Sequence, residues 1–206
     1  MFEASKSDIY FGTPLARYMV EDKEMLNDAL LGVGHKLRAE SEGVQKSNRG
    51  GWHSEGNLFK EDDDSIRHLK MLAGNAVFDC TKRLKGKTDP ATLNLRLSAW
   101  MNINYANAYN APHTHPGAHW SGVYYVKQPD VDEGNSGMIE FLDPRSDLPN
   151  WRILGVNAFR PKRKIRPKAG EIVLFPSYLV HWVYPNATDD ERVTIAFNAT
   201  FSKKKS

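Results

Sequence analysis

The hydrophobic pattern of this chain changes period once, close to residue 90. Upstream of that point apolar residues recur twice at helical spacing. The first run follows Glu21-Asp22 and sets Met25, Leu26, Ala29, Leu30, Val33 and Leu37 near one side of a helix. The second follows the acidic run Asp62-Asp63-Asp64-Ser65, whose carboxylates suit the positive pole of a helix N-terminus. It carries Ile66, Leu69, Ala73, Ala76, Val77 and Cys80 on one face, and Lys82-Arg83 fall near its negative pole. Both read as amphipathic helices packed on something larger. Between them Ser47 to Leu58 is glycine-rich, and its Trp52 and His53 could line a substrate entrance or fold over the core.

From Ala91 onward the period is two. Leu93, Leu95, Leu97, Ala99, Met101 and Ile103 alternate with Thr92, Asn94, Arg96, Ser98, Trp100, Asn102 and Asn104, as a half-buried strand requires. Further strands are expected over Ser121 to Lys127, Met138 to Leu142, Glu171 to Phe175, His181 to Tyr184 and Arg192 to Phe201, separated by Pro, Gly, Asn and Asp clusters. In the last of them Val193, Ile195, Phe197, Ala199 and Phe201 form one face, and Arg192, Thr194, Ala196, Asn198 and Thr200 the other. A barrel with a ligand cavity would turn the second face inward; a plain sheet would turn it to water. Many short strands after two helices point to an antiparallel sandwich or barrel buttressed by helices. No repeat or linker divides the chain, so 1–206 is expected to form one domain, with 1–90 as helical support and 91–206 as the β core.

Composition narrows the class. The 206 residues are 40% hydrophobic and 26% charged, which suits a globular protein with a sizeable core. No run of about 18 apolar residues occurs, and no secretory pattern opens the chain. A lone cysteine, Cys80, permits no internal disulfide and fits a reducing compartment, so the cytoplasm is the expected location. The net charge is +3, with basic residues concentrated in Arg160 to Lys168 and in Lys203-Lys204-Lys205. Such runs attract phosphate, but without interleaved aromatics they do not read as a base-stacking surface, and nucleic acid is not the expected partner. A homodimer is compatible with a helical part that has no evident core of its own.

Three of the seven histidines crowd into one segment, His113, His115 and His119. Imidazole is the commonest neutral metal ligand near neutral pH. Histidines at i and i+2 on a strand point the same way, so His113 and His115 can share one ion. His119 has the same parity, but Pro116-Gly117 is expected to turn the chain before it. His181, opening a later strand after a Pro-containing turn, could complete a facial set or serve as a core histidine. Arg192 follows it by eleven residues across a polar loop, so the two strands can be neighbours. A guanidinium beside the Thr194 hydroxyl is suited to grip a carboxylate.

In this order and inside strands, these elements resemble the 2-oxoglutarate- and Fe(II)-dependent oxygenases, and in particular a family of such proteins from marine bacteria and their phages. The segments that carry the resemblance are SNRGGWHS, WMNINYANAYNAPHTHPGAHWSGVYYV, IEFLDPR, GEIVLFPSYLVHWVYPN and ERVTIAFNATF. The resemblance implies a double-stranded β-helix, or jelly roll, with Fe(II) near one open end and 2-oxoglutarate as cosubstrate, in the cytoplasm of a bacterium or of an infected host. It makes His113 the first ligand, His181 the distal one and Arg192 the cosubstrate anchor with Thr194 assisting. Position 115 departs from the family pattern, which has a carboxylate there. Three imidazoles, His113, His115 and His181, are the favoured set, with Glu140 or Asp143 as the alternative source of a carboxylate. Trp100, Asn102, Tyr109, Tyr124 and Trp182 are expected to line the pocket. The substrate, a small molecule or a peptide, is not specified by the sequence. Two rival readings are a cupin-type metal enzyme without 2-oxoglutarate, which would not need Arg192, and a non-catalytic binding barrel, which would not need the histidines.

Overall fold

Both helices form where the apolar period places them. A computed structural model describes residues 12–86, 88–89, 91–131, 134–145 and 150–204. Helix α1 spans Lys23–Glu40 and α2 spans Asp64–Arg83. The Asp63 carboxylate caps α2 by accepting from the backbone N–H groups of Ser65 (2.8 Å) and Ile66 (3.2 Å). All six residues read as the apolar face of α2 are buried. On α1 the buried stripe is Leu26, Asn27, Leu30 and Gly34, whereas Met25 is exposed. At Gly34 α1 leaves room for a neighbour from the sheet: a Cβ there would sit 2.3 Å from the Met101 sulfur.

Eleven strands follow in two sheets. They are β1 (Ala16–Met19), β2 (Asn48–Arg49), β3 (Trp52–His53), β4 (Leu93–Asn104), β5 (Tyr109–His113), β6 (Trp120–Lys127), β7 (Ile139–Leu142), β8 (Lys162–Ile165), β9 (Glu171–Pro176), β10 (His181–Val183) and β11 (Arg192–Lys203). One sheet has the order β1-β9-β6-β11-β4-β3 and the other β2-β5-β10-β7-β8, and every pairing is antiparallel. The sheets stack as a jelly roll that is not closed. A short helix, α3 (Trp151–Leu154), precedes β8.

The alternation in β4 and β11 decides which side faces the helices. Ala99, Met101, Ile103, Val193, Ile195, Phe197 and Ala199 pack with α1 and α2 in one core cluster. The opposite face, carrying Trp100, Val123, Tyr125, Val173, Phe175 and Ala196, packs against Ile139, Phe141, Ile165 and Val183 of the other sheet. The inner face of β11 is therefore its polar one, as a barrel with a cavity requires, and Arg192 and Thr194 are both buried.

Two segments depart from the sequence-based expectation. The glycine-rich stretch around Trp52 contains two-residue strands that tie the sheets together at one edge: β2 joins β5 and β3 joins β4. Trp52 packs outward into the helix-side core, its indole N–H donating to the Ser41 carbonyl at 2.9 Å. The basic run 160–168, where the sequence pattern predicts no strand, contributes one, because Lys162–Ile165 forms edge strand β8 beside β7. Among the described residues no helix is long and apolar enough to cross a membrane.

Candidate metal centre

Three strand ends bring three imidazoles together. His113 closes β5, His115 follows in the turn, and His181 opens β10 directly opposite His113 in the register. The His115 backbone is held by its N–H donating to the Ser177 carbonyl at 2.9 Å. Ring centroids are 4.3 Å apart for His113 and His181, 4.9 Å for His113 and His115, and 5.1 Å for His115 and His181. One nitrogen from each lies within 4.8 Å of the other two, and the Nε2 atoms of His115 and His181 are 3.3 Å apart. Two nitrogens at metal–ligand distance from one ion would be about 3.0–3.4 Å apart. The trio therefore fits a divalent ion with little movement.

The backbone fixes which nitrogen is offered. Nδ1 of His113 lies 2.7 Å from the Ala111 carbonyl, and Nδ1 of His181 lies 2.9 Å from the Leu179 carbonyl. A proton on each Nδ1 makes that bond and leaves the Nε2 lone pair free for a metal. Burial reinforces this. It lowers the pKa of His113, and burial with the neighbouring His113 pushes His115 down to about 4 and His181 down to about 3. All three are neutral at pH 7, the form a metal needs.

The two carboxylates considered as alternatives do not reach the trio. Glu140 lies one residue from Phe141, so it points out of the opposite face of β7. There it accepts from the Tyr184 hydroxyl and lies 3.4 Å from Lys162 and 3.6 Å from Lys164. Asp143 is held by Arg145. His119 also turns away, its Nδ1 accepting from the Phe201 backbone N–H at 3.2 Å.

Trp100 stands beside the site, 5.4 Å from the His115 ring, and on its other side it stacks on His53 at 5.8 Å with a 10° interplanar angle. Asn102 is buried on the same inner face, and its Oδ1 has no hydrogen-bond partner among the described residues. The other expected lining residues lie elsewhere. Tyr124 faces the helices and donates to Asn27 Oδ1 at 2.6 Å, Trp182 lies on the outer face of its sheet under the Lys162 ammonium, and Tyr109 is exposed.

The structure also places inward residues that the sequence reading passed over. Phe175 packs edge-on to His181 at 4.7 Å, Phe141 lies 6.0 Å from it, and Tyr125 pairs in register with Thr194. The signal for Tyr125 was parity along β6, where it shares the inner face with Val123 ahead of the bulge that follows it.

Arg192 lies at the start of β11, 2% exposed. Its Nε donates to Gln128 Oε1 at 3.0 Å, and its guanidinium lies 5.3 Å from the Tyr125 ring centroid. No carboxylate among the described residues forms an ion pair with it. The Tyr125 hydroxyl makes no hydrogen bond of normal geometry there either, and burial pushes its pKa up to about 12. A buried cation with no counter-charge and a buried phenol with no acceptor are costly unless an anion joins them.

Comparison with known proteins agrees with this geometry. Residues 98–198, which contain all three histidines and Arg192, match the family described as "Putative 2OG-Fe(II) oxygenase". No curated protein matches the chain. Among solved structures, a prolyl-4-hydroxylase from Pseudomonas putida is similar at a TM-score of 0.64 and 14% identity, with 93% of each chain covered. A Trichoplax adhaerens prolyl hydroxylase, solved with a hypoxia inducible factor peptide fragment, is similar at 0.61 and 13%, covering 90% of this chain and 83% of that one. HygX from Streptomyces hygroscopicus, solved with nickel and 2-oxoglutarate, is similar at 0.61 and 12%, covering 91% and 83%. At such identities these likenesses establish the double-stranded β-helix fold. Through residues 98–198 the chain belongs to the 2OG-Fe(II) oxygenase family, and it is a non-haem iron dioxygenase dependent on 2-oxoglutarate.

Proposed function

We propose that His113, His115 and His181 hold the iron, that Arg192 anchors the far carboxylate of 2-oxoglutarate, and that the enzyme hydroxylates a C–H bond of its substrate. When bound, iron and 2-oxoglutarate supply oxidation of that bond by dioxygen, coupled to decarboxylation of the cosubstrate to succinate. What the chain itself contributes follows from its side chains.

The observation that carries the proposal is Arg192. A guanidinium buried between the sheets, with no paired carboxylate among the described residues, is costly until a ligand brings the negative charge. The Tyr125 hydroxyl, beside that guanidinium, is the second donor for the same carboxylate. Thr194, two residues on along the inner face and paired in register with Tyr125, is the third. Fork and hydroxyls together hold a dicarboxylate in one orientation, its far end at Arg192 and its keto acid end free to reach the histidines. The imidazoles, already neutral, require no deprotonation to accept the ion. Phe141, Phe175 and Trp100 keep water from the histidines and leave an apolar wall for the substrate.

Three neutral imidazoles give the ion no compensating charge, unlike a set with a carboxylate. The keto acid end of the cosubstrate would bring one negative charge to the ion while its far carboxylate meets Arg192, so cosubstrate binding and metal retention should reinforce one another.

The test is anaerobic titration of Fe(II)-loaded protein with 2-oxoglutarate, following the visible charge-transfer band of the chelate. The band should appear in the wild type and require much more 2-oxoglutarate in Arg192→Ala. Bound iron with no band at any concentration would reject the proposed roles and return the site to the cupin-type reading.

A further inference from the structure

The basic run of the sequence finds no use in the site described so far, yet the fold brings it to the edge of that site. In the five-stranded sheet His113 pairs with His181, His181 with Phe141, and Phe141 with Arg163. Residues directly opposite in antiparallel strands share a face. One transverse row therefore runs His113, His181, Phe141, Arg163 along the inner side of the sheet. Two strand spacings, about 10 Å, separate the backbone of the distal histidine from that of the arginine.

Arg163 stands on β8, where the two sheets do not close. A cavity of about 510 Å³ opens there, with Leu15, Phe141 and Leu179 as its apolar wall and Arg145, Arg160 and Arg163 among its cations. Its inner wall is continuous with the metal site, because the Phe141 ring lies 6.0 Å from His181 and the Leu179 carbonyl faces His181 Nδ1. The only carboxylate among the lining residues, Asp143, is already bound by Arg145. Arg163 is exposed, and no described carboxylate pairs with it. The cavity lies within the range of about 300–1,000 Å³ typical of small-molecule sites, and it joins an apolar wall to the Arg163 cation.

We propose that this cleft is the substrate subsite and that Arg163 positions an anionic group, phosphate or carboxylate, of a small organic substrate whose apolar part lies along Phe141 toward the histidines. This rests on the oxygenase roles proposed above. Arg163 is a specificity-determining residue, held by the register at a fixed distance from the reacting centre, and its exposure makes its attraction sensitive to salt.

The probe is 8-anilinonaphthalene-1-sulfonate, which joins an apolar ring system to one anion, with the uncharged N-phenyl-1-naphthylamine as control. Fluorescence is titrated on wild type, Arg163→Glu and Arg163→Lys, and the Fe(II)·2-oxoglutarate band is recorded on the same samples. The wild type should bind the sulfonate, inorganic pyrophosphate should displace it, and Arg163→Glu should weaken it about tenfold. Arg163→Lys should restore most of the affinity, and the uncharged control and the band should be the same in all three proteins.

Equal sulfonate affinity in wild type and Arg163→Glu would overturn the subsite. Loss of the band in Arg163→Glu would overturn it differently, by assigning Arg163 to the cosubstrate. Displacement by poly-glutamate but not by pyrophosphate would replace the small molecule with an acidic chain. A wild type that gives no band rejects the iron and 2-oxoglutarate roles, and with them the claim that the bound anion is a substrate, whatever the fluorescence shows.

Discussion

His113 and His181 face each other across two strands with their rings 4.3 Å apart, and each is tied through Nδ1 to the carbonyl of the residue two places before it. The same local device, used twice, presents two Nε2 lone pairs toward one point before any metal arrives. This preorganisation leaves three imidazoles crowded, His181 buried and His113 and His115 partly so, and the apo protein bears the consequence.

Acid should therefore weaken the apo protein through this trio. The folded-state pKa values lie below the ordinary histidine value of about 6.5, at about 4 for His115 and about 3 for His181, because burial and the neighbouring imidazole disfavour the cation. The unfolded chain then binds more protons than the folded one between those limits. The contribution is complete above pH 6.5 and is lost progressively as pH falls toward 4 and 3. Thermal unfolding of chelator-treated protein from pH 7.5 to 4.5 should show a Tm falling below pH 6.5, and His181→Gln should flatten part of that slope. An identical slope in the variant would show that other groups carry it.

Arg192→Ala should separate stability from function. The guanidinium is fully buried, and burial depresses its pKa, so the apo fold holds an uncompensated cation. Removing it should leave the apo Tm unchanged or raise it, while 2-oxoglutarate affinity falls by about 2–5 kcal/mol, as when one partner of a buried charge pair is truncated. Tyr125→Phe should lose about 1 kcal/mol of affinity, the scale of one hydrogen bond. Calorimetric titration of the metal-loaded proteins with 2-oxoglutarate measures both. An Arg192→Ala protein that binds 2-oxoglutarate as the wild type does would remove the anchor role.

The sequence made most of this architecture legible because the inner and outer faces of β4 and β11 differ in chemistry. Leu, Ile, Val and Phe on one side and Arg192, Thr194 and Asn102 on the other left little freedom about which face the helices would cover. The histidine pair was legible from its i, i+2 spacing, although His115 lies in the turn just past β5 and its backbone is set there by the Ser177 carbonyl rather than by a strand. What stayed hidden depended on long-range pairing. Tyr124 and Tyr125 are adjacent aromatics, and only the pairing of Tyr125 with Thr194 and of Tyr124 with Ile195 decides which of them goes inward. The basic run 160–168 has no alternation to betray a strand, because an edge strand beside solvent can be polar on both faces. Arg163 acquires its place opposite Phe141 only once β7 and β8 pair.

Glu140 offers a direct check on the ligand set. Its carboxylate is 1% exposed, yet it is engaged by Tyr184, Lys162 and Lys164 on the far face of β7. Glu140→Gln should retain full iron content after loading and desalting, and should destabilise the fold by about 1–3 kcal/mol through a weakened buried network. His115→Ala should do the reverse, losing iron with little change in apo Tm, since it removes a crowded imidazole. Metal analysis beside thermal unfolding distinguishes the two. Iron lost from Glu140→Gln but kept by His115→Ala would give the third ligand position to a carboxylate.

The wall behind the site depends on one missing side chain. Gly122 pairs with Phe197 across β6 and β11, and a Cβ there would lie 2.2 Å from the Phe197 ring. Phe197 is wholly buried in the helix-side core and packs against Phe59 at 6.5 Å, so its ring has no free space to move into. Gly122→Ala should therefore destabilise the protein by about 1–3 kcal/mol, as overpacking does. Because the displaced ring lies on the outer face of the sheet, the strain should not reach the histidines: iron content and the 2-oxoglutarate band should persist in whatever fraction remains folded. Phe197→Leu in the same chain, which frees the volume the methyl group needs, should recover part of the stability despite being destabilising alone. Urea unfolding of the two single variants and the double variant gives the coupling. Simple additivity would mean that the ring and the new methyl group do not meet, and the tight packing of β6 on β11 would then have to be explained without them.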